Sequence, residues 1–187
     1  MNINNYIVYI FFLSYKNLVK ITVFSFLLIF LFLKPNFANS DELNIFGLGL
    51  YDFNKKKNEA IDFRFERRLD KKIFDLGPSV EPLYTIKPFY GIEITSDGAA
   101  YGLGGFYVEE KISRKIYLTP SFGGGLYSNG DGKDLGNVVQ FRSTLELSYE
   151  IPSGDRIGLS IGHISNASLG NKNPGTEILS LSYQSSF

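Results

Sequence analysis

Between Val139 and Ile151 the chain changes sides at almost every residue. Val139, Phe141, Leu145, Leu147, Tyr149 and Ile151 share one face, and Gln140, Arg142, Thr144, Glu146, Ser148 and Glu150 share the other. A period of two belongs to extended strands, whose successive side chains leave opposite faces of the pleat. The stretch 58–68 repeats the arrangement, with Ile61, Phe63 and Phe65 opposed to Asp62, Arg64, Glu66 and Arg68. Polar faces carrying both signs of charge suit the interior of a small closed barrel, where the charges pair with one another and the apolar faces look outward.

The rest of the chain past residue 40 is compatible with that architecture. Stretches of roughly ten residues, rich in aromatic and β-branched side chains, alternate with Gly, Asn, Asp, Ser and Pro clusters. The predicted strands are 42–53, 58–68, 82–95, 99–111, 115–127, 139–151, 156–166 and 176–187. Their number is even, and their lengths suit the roughly 9–11 residues of a tilted membrane-crossing strand. A soluble sandwich also alternates, so parity alone does not decide. The charged faces, the leader described next and the aromatic last strand favour an all-β fold, an eight-stranded antiparallel transmembrane β-barrel. Ser113-Arg114-Lys115 and Pro152-Ser153-Gly154-Asp155 read as short turns on one rim, and residues 128–137 as a longer outer loop. Two stretches resist the scheme. Glycines 102, 104 and 105 blur the faces of 99–111, and 69–81 is long for the short-turn rim.

Residues 1–40 hold Lys16, Lys20 and Lys34, no acid, and an apolar stretch of thirteen residues from Ile21 to Leu33. That is the length of a signal-peptide core and short of the roughly 20 residues a spanning helix needs. Ala38-Asn39-Ser40 supplies small residues for cleavage before Asp41, giving a signal peptide over 1–40 and a barrel domain over 41–187. An uncleaved anchor, helped by the apolar run Tyr6 to Leu13, is the alternative. Without the leader the net charge is −3. No basic excess remains, which argues against nucleic acid as a partner. The chain has no cysteine for disulfides, and its 12 Tyr and 17 Phe suit membrane interfaces.

His163 is the only histidine. On its strand Ile157, Leu159, Ile161, His163 and Ser165 share a face, and on the next Glu177, Leu179, Leu181, Tyr183, Ser185 and Phe187 do. If His163 pairs with Glu177, then Ile161 meets Leu179, Leu159 meets Leu181 and Ile157 meets Tyr183. A slip of one residue would turn Glu177 to the other face. Directly opposed Cβ atoms lie about 5 Å apart, and Ser165 stands about 6–7 Å up the same strand. The expected roles are Ser165 as nucleophile, His163 as base then acid, and Glu177 as the group that orients the imidazole. Asn166, Asn173 and the backbone amides near Ala167 and Ser168 are candidate oxyanion or support groups, with Asn173 favoured. No cofactor is expected. A structural histidine is the competing reading.

The run HISNASLGNKNPGTE, residues 163–177, resembles the signature of the PagL family of lipid A 3-O-deacylases, and QFRSTLELSYEI, residues 140–151, is similar to that family's neighbouring strand. The resemblance implies an eight-stranded outer-membrane barrel that hydrolyses the acyl ester at the 3 position of lipid A without a metal. It implies Ser165 as nucleophile, His163 as base, Glu177 as third member, and Asn166 and Asn173 near the oxyanion site. It implies lipid A as substrate and the outer membrane as location; a homodimer is left open. Ser168 stands where many members carry glycine. Two other functions stay in view: a non-catalytic small barrel for adhesion or membrane integrity, and an acyltransferase acting on lipid A.

Overall fold

The structure, a computed structural model, describes residues 42–55, 57–77 and 84–186. The expected leader, residues 1–40, lies outside the described residues, as do Phe187 and the first two residues of the strand expected at 82–95. Among the described residues ten strands form: β1 Leu43–Tyr51, β2 Ala60–Arg68, β3 Phe74–Leu76, β4 Tyr84–Thr95, β5 Ala100–Tyr107, β6 Glu110–Ser113, β7 Ile116–Ser128, β8 Val139–Glu150, β9 Arg156–Ser165 and β10 Thr176–Ser186. Eight of them are staves of a closed antiparallel barrel. They run β2-β1-β10-β9-β8-β7-β5-β4, and β2 pairs with β4 to close the ring. β3 and β6 are continuations of staves past a break: β3 pairs with the start of β4, and β6 with the start of β7.

The alternation read from the sequence gives the faces. Arg64, Arg68 and Arg142 interlock inside with Glu66, Glu93 and Glu146. Arg64 Nη2 donates to Glu146 Oε2 at 3.0 Å and Arg68 Nε to Glu66 Oε1 at 2.9 Å, while Arg142 bonds both Glu66 and Glu93. Gln184 Nε2 from β10 adds a 2.8 Å bond to Glu146 Oε1. Charge removed from water needs such partners, and losing one of them costs about 3–5 kcal/mol. The opposite faces are apolar and open: Leu48, Phe63, Leu145, Leu159 and Ile161 are exposed, and Leu181 is 62% exposed. This is an inside-out core, polar within and greasy without, as a barrel in hydrocarbon requires.

Toward the mouth that carries the 128–137 loop the interior turns apolar. Tyr51, Tyr101, Tyr127, Ile164 and Ile178 cluster there, with Leu135 of the 128–137 loop folded in at 1% exposure. This explains why 99–111 showed no clean faces. Tyr101, Leu103 and Tyr107 point into the barrel, so the strand's inner face is apolar too, and Gly102 and Gly104 take the outer positions. At inward Gly125 a Cβ would lie 1.9 Å from the Gly102 carbonyl oxygen, so only glycine allows β5 and β7 to curl together there.

The misfit at 69–81 also has a physical form. Leu69 N–H bonds Pro88 O at 3.0 Å and Ile73 N–H bonds Ile86 O at 2.9 Å, carrying the β2–β4 hairpin beyond the barrel into β3. Lys87–Asp70 and Lys72–Asp75 ion pairs dress this extension. On the same rim the links after β6 and β8 are tight turns, the second using Gly154 at φ 88°.

Candidate active site

β9 and β10 pair in the register that opposes His163 to Glu177, Ile161 to Leu179, Leu159 to Leu181 and Ile157 to Tyr183. The apolar pairs hold both faces to the outer wall, and the polar pair rides at their upper end. His163 Nδ1 faces Glu177 Oε1 at 3.4 Å, with the imidazole 47% exposed and the carboxylate side chain 22%. Ser165 lies on the same outward face, two residues up β9. The structure thus gathers His163, Ser165 and Glu177 on the exterior, near the rim that carries the β9–β10 loop. Holding Nδ1 against a carboxylate leaves Nε2 as the nitrogen that can accept a proton.

β8 completes the surroundings. Ser143 stands directly opposite His163, and Phe141 opposite Ser165. Phe141 stacks on Phe122 of β7, with ring centroids 6.1 Å apart and planes 7° apart. The nucleophile candidate therefore has an apolar aromatic platform beside it. Ser143 was missed in the sequence, although it is the polar interruption on an otherwise apolar face of 139–151.

The loop after β9 is a tight turn. Leu169 N–H bonds Asn166 O at 2.9 Å, and Ala167 and Ser168 between them have φ of 50° and 64°. Both central residues are left-handed, the pattern of a type I′ turn that ordinarily asks for Asn or Gly. Ser168 keeps the conformation despite its side chain. Asn166 is fully buried, and its amide donates to Leu135 O and to Lys172 O, each at 2.8 Å. Its side chain thus braces the loop. Asn173 Oδ1 accepts the Asn166 N–H at 3.1 Å, which leaves the Asn173 amide group exposed at the loop surface. Gly175, at φ 57°, makes room for the imidazole: a Cβ there would lie 2.9 Å from His163 Cε1.

A second brace lies behind the hairpin. Asp52, buried in the turn after β1, pairs with Lys133 of the 128–137 loop. It also accepts from Thr176 Oγ1 at 3.3 Å and from Asn58 N–H at 3.2 Å. Burial pushes the Asp52 carboxyl up, but the Lys133 ammonium and the Asn58 N–H outweigh it and hold it below the ordinary aspartate range. Thr176 is the neighbour of Glu177, so this buried pair fixes the start of β10. No local pattern points to it, because its partners are 81 residues apart.

The model of the PagL family, described as lipid A 3-O-deacylase, matches residues 51–186. The lipid A deacylase PagL of Bordetella bronchiseptica is 32% identical over 82 residues, which span 44% of this chain and 42% of that protein, less than half of its length. Among solved structures, the outer membrane enzyme PagL matches with a TM-score of 0.57 at 20% identity, covering 78% of this chain and 99% of the other. Neisserial surface protein A matches at 0.50 and 9% identity, covering 78% and 96%. At these identities the structural likenesses speak for the fold alone. The family match runs from the end of β1 through β10 and takes in both strands of the site, and the chain belongs to the PagL family of lipid A 3-O-deacylases.

Proposed function

We propose that this protein is a serine esterase of the outer membrane that hydrolyses the acyl ester at the 3 position of lipid A. The observation that carries the reading is the β9–β10 register, which sets Glu177 against His163 Nδ1 on the lipid-facing wall within a family of lipid A deacylases. His163 Nε2 takes the proton from Ser165 Oγ as that oxygen adds to the ester carbonyl. Glu177 stabilises the imidazolium that forms. The Ala167 and Ser168 N–H groups, directed by their left-handed turn, and the Asn173 amide are the donors proposed for the oxyanion. Collapse breaks the bond to the sugar oxygen, which takes the proton back from His163 and departs as the free hydroxyl, while the acyl group stays esterified to Ser165. Water, deprotonated by His163, then adds to the acyl carbonyl, and Ser165 leaves with the proton as the fatty acid is released.

The wall position suits a substrate that already lies in the leaflet. The lipid slides in sideways to the Phe141–Phe122 platform, and no deep cleft is needed. All three groups come from one hairpin, so the chemistry requires no second copy. Residues 1–40 are the proposed export leader; the intact mass of the mature protein would start at Asp41.

Mass spectrometry of lipid A exposed to the protein reports the reaction directly. The wild-type barrel removes one acyl chain, and Ser165→Ala removes none. Ser143 also faces His163, so Ser143→Ala is the matched comparison and retains most of the activity. Full turnover by a folded Ser165→Ala barrel refutes the assignment.

A further inference from the structure

The outer rim is electrically lopsided. Lys55, Lys57, Lys133 and Lys172 converge on a cavity of about 310 Å³ framed by the β1–β2 turn, the 128–137 loop and the β9–β10 loop. The acids Asp97 and Asp131 sit together elsewhere on the rim, where Asp131 N–H bonds Asp97 O at 3.1 Å. Within the cavity, Asp52 neutralises Lys133 and Asp134 neutralises Lys172 at 2.7 Å. Lys55 and Lys57 have no carboxylate partner among the described residues. Lys55 Nζ donates to Pro174 O at 2.6 Å, which uses one of its three N–H groups. The cavity therefore holds an excess of two positive charges with donors to spare.

Its position is as telling as its charge. Pro174 is the residue before Gly175, and Gly175 is the residue on which the His163 ring rests. A single stretch of loop has the cation pocket on one side and the imidazole on the other. A volume near the lower end of the roughly 300–1,000 Å³ typical of ligand sites suits a compact anionic group and not a whole lipid.

We propose that this pocket binds a phosphate monoester on the headgroup of the lipid whose acyl ester meets Ser165, with Lys55 and Lys57 as its ligands. The inference rests on the deacylase reading for the identity of that lipid. Two lysine ammoniums hold a phosphate as point charges, and the pocket fixes how far the sugar stands above the wall. The shared segment 174–175 favours a headgroup over free phosphate as the source, because an anion bound there is tethered to the leaflet beside the site.

Binding can be read without turnover. The Ser165→Ala barrel in zwitterionic micelles is mixed with lipid A carrying its phosphates or with the same lipid dephosphorylated, and native mass spectrometry counts bound lipid. The phosphorylated form is expected to bind about tenfold better. Adding Lys55→Gln and Lys57→Gln brings that ratio close to one, Lys57→Arg alone preserves it, and Lys72→Gln on the opposite rim leaves it as it was. A ratio that survives loss of both lysines overturns the proposal. So does equal binding of the two lipids, or saturation by inorganic phosphate with no discrimination between them. Loss of deacylation in the wild type, with the ratio intact, would instead count against the esterase reading.

Discussion

Glu177→Gln keeps the size of the side chain and removes its charge, which isolates the carboxylate's part in the reaction. In the proposed mechanism the imidazole must start neutral to act as a base, so the ground state feels the change weakly. Once the imidazole has taken the serine proton, a full positive charge faces Glu177 across 3.4 Å. Coulomb's law gives about 1 kcal/mol for that pair in bulk water and about 5 kcal/mol at an effective dielectric of 20. With the two side chains 47% and 22% exposed, screening places the interaction between these limits. A middle value of about 3 kcal/mol lowers kcat about a hundredfold. KM should hold, because the carboxylate meets the imidazole and not the lipid. Initial rates of fatty-acid release from lipid A in vesicles measure both constants, with circular dichroism confirming a folded barrel. A Glu177→Gln enzyme with wild-type kcat would refute the role.

Two further predictions concern stability. Arg142→Leu strips Glu66 and Glu93 of a shared partner inside the barrel. Urea unfolding should show a loss of about 3–5 kcal/mol, and a cost under 1 kcal/mol would mean that the interior charges do not depend on one another. Ser168→Gly relaxes a left-handed residue at φ 64° and should stabilise the barrel by about 1 kcal/mol. A lower melting temperature for that variant would show that the Ser168 side chain holds the turn in place.

The parts of the fold legible in the sequence are those where one face met hydrocarbon and the other met charge. Strand 139–151 declared its faces because Arg142 and Glu146 cannot share a wall with Leu145 and Leu147. The hairpin register followed from Ile157, Leu159 and Ile161, since only one pairing sets them all against apolar partners. Strand 99–111 hid its faces because Tyr101 and Leu103 belong to an apolar layer inside the mouth, where the polar-in rule lapses. The β3 extension escaped notice because its pairing with Tyr84–Ile86 spans a long turn. Within the site, His163, Ser165 and Glu177 could be brought to one face by parity. The Asp52–Lys133–Thr176 brace could not, because it joins two loops and the start of β10 through tertiary contact alone.

The interlocked arginines and glutamates also settle what the bore is for. Side chains from β2, β4, β8 and β10 cross it and are almost wholly shielded from solvent. A bore packed with buried side chains is a core and not a channel, so the proposed reaction on the wall need not cost the envelope a leak. Variants that thin the ionic lattice, Arg142→Leu first among them, are where a measurable conductance would emerge.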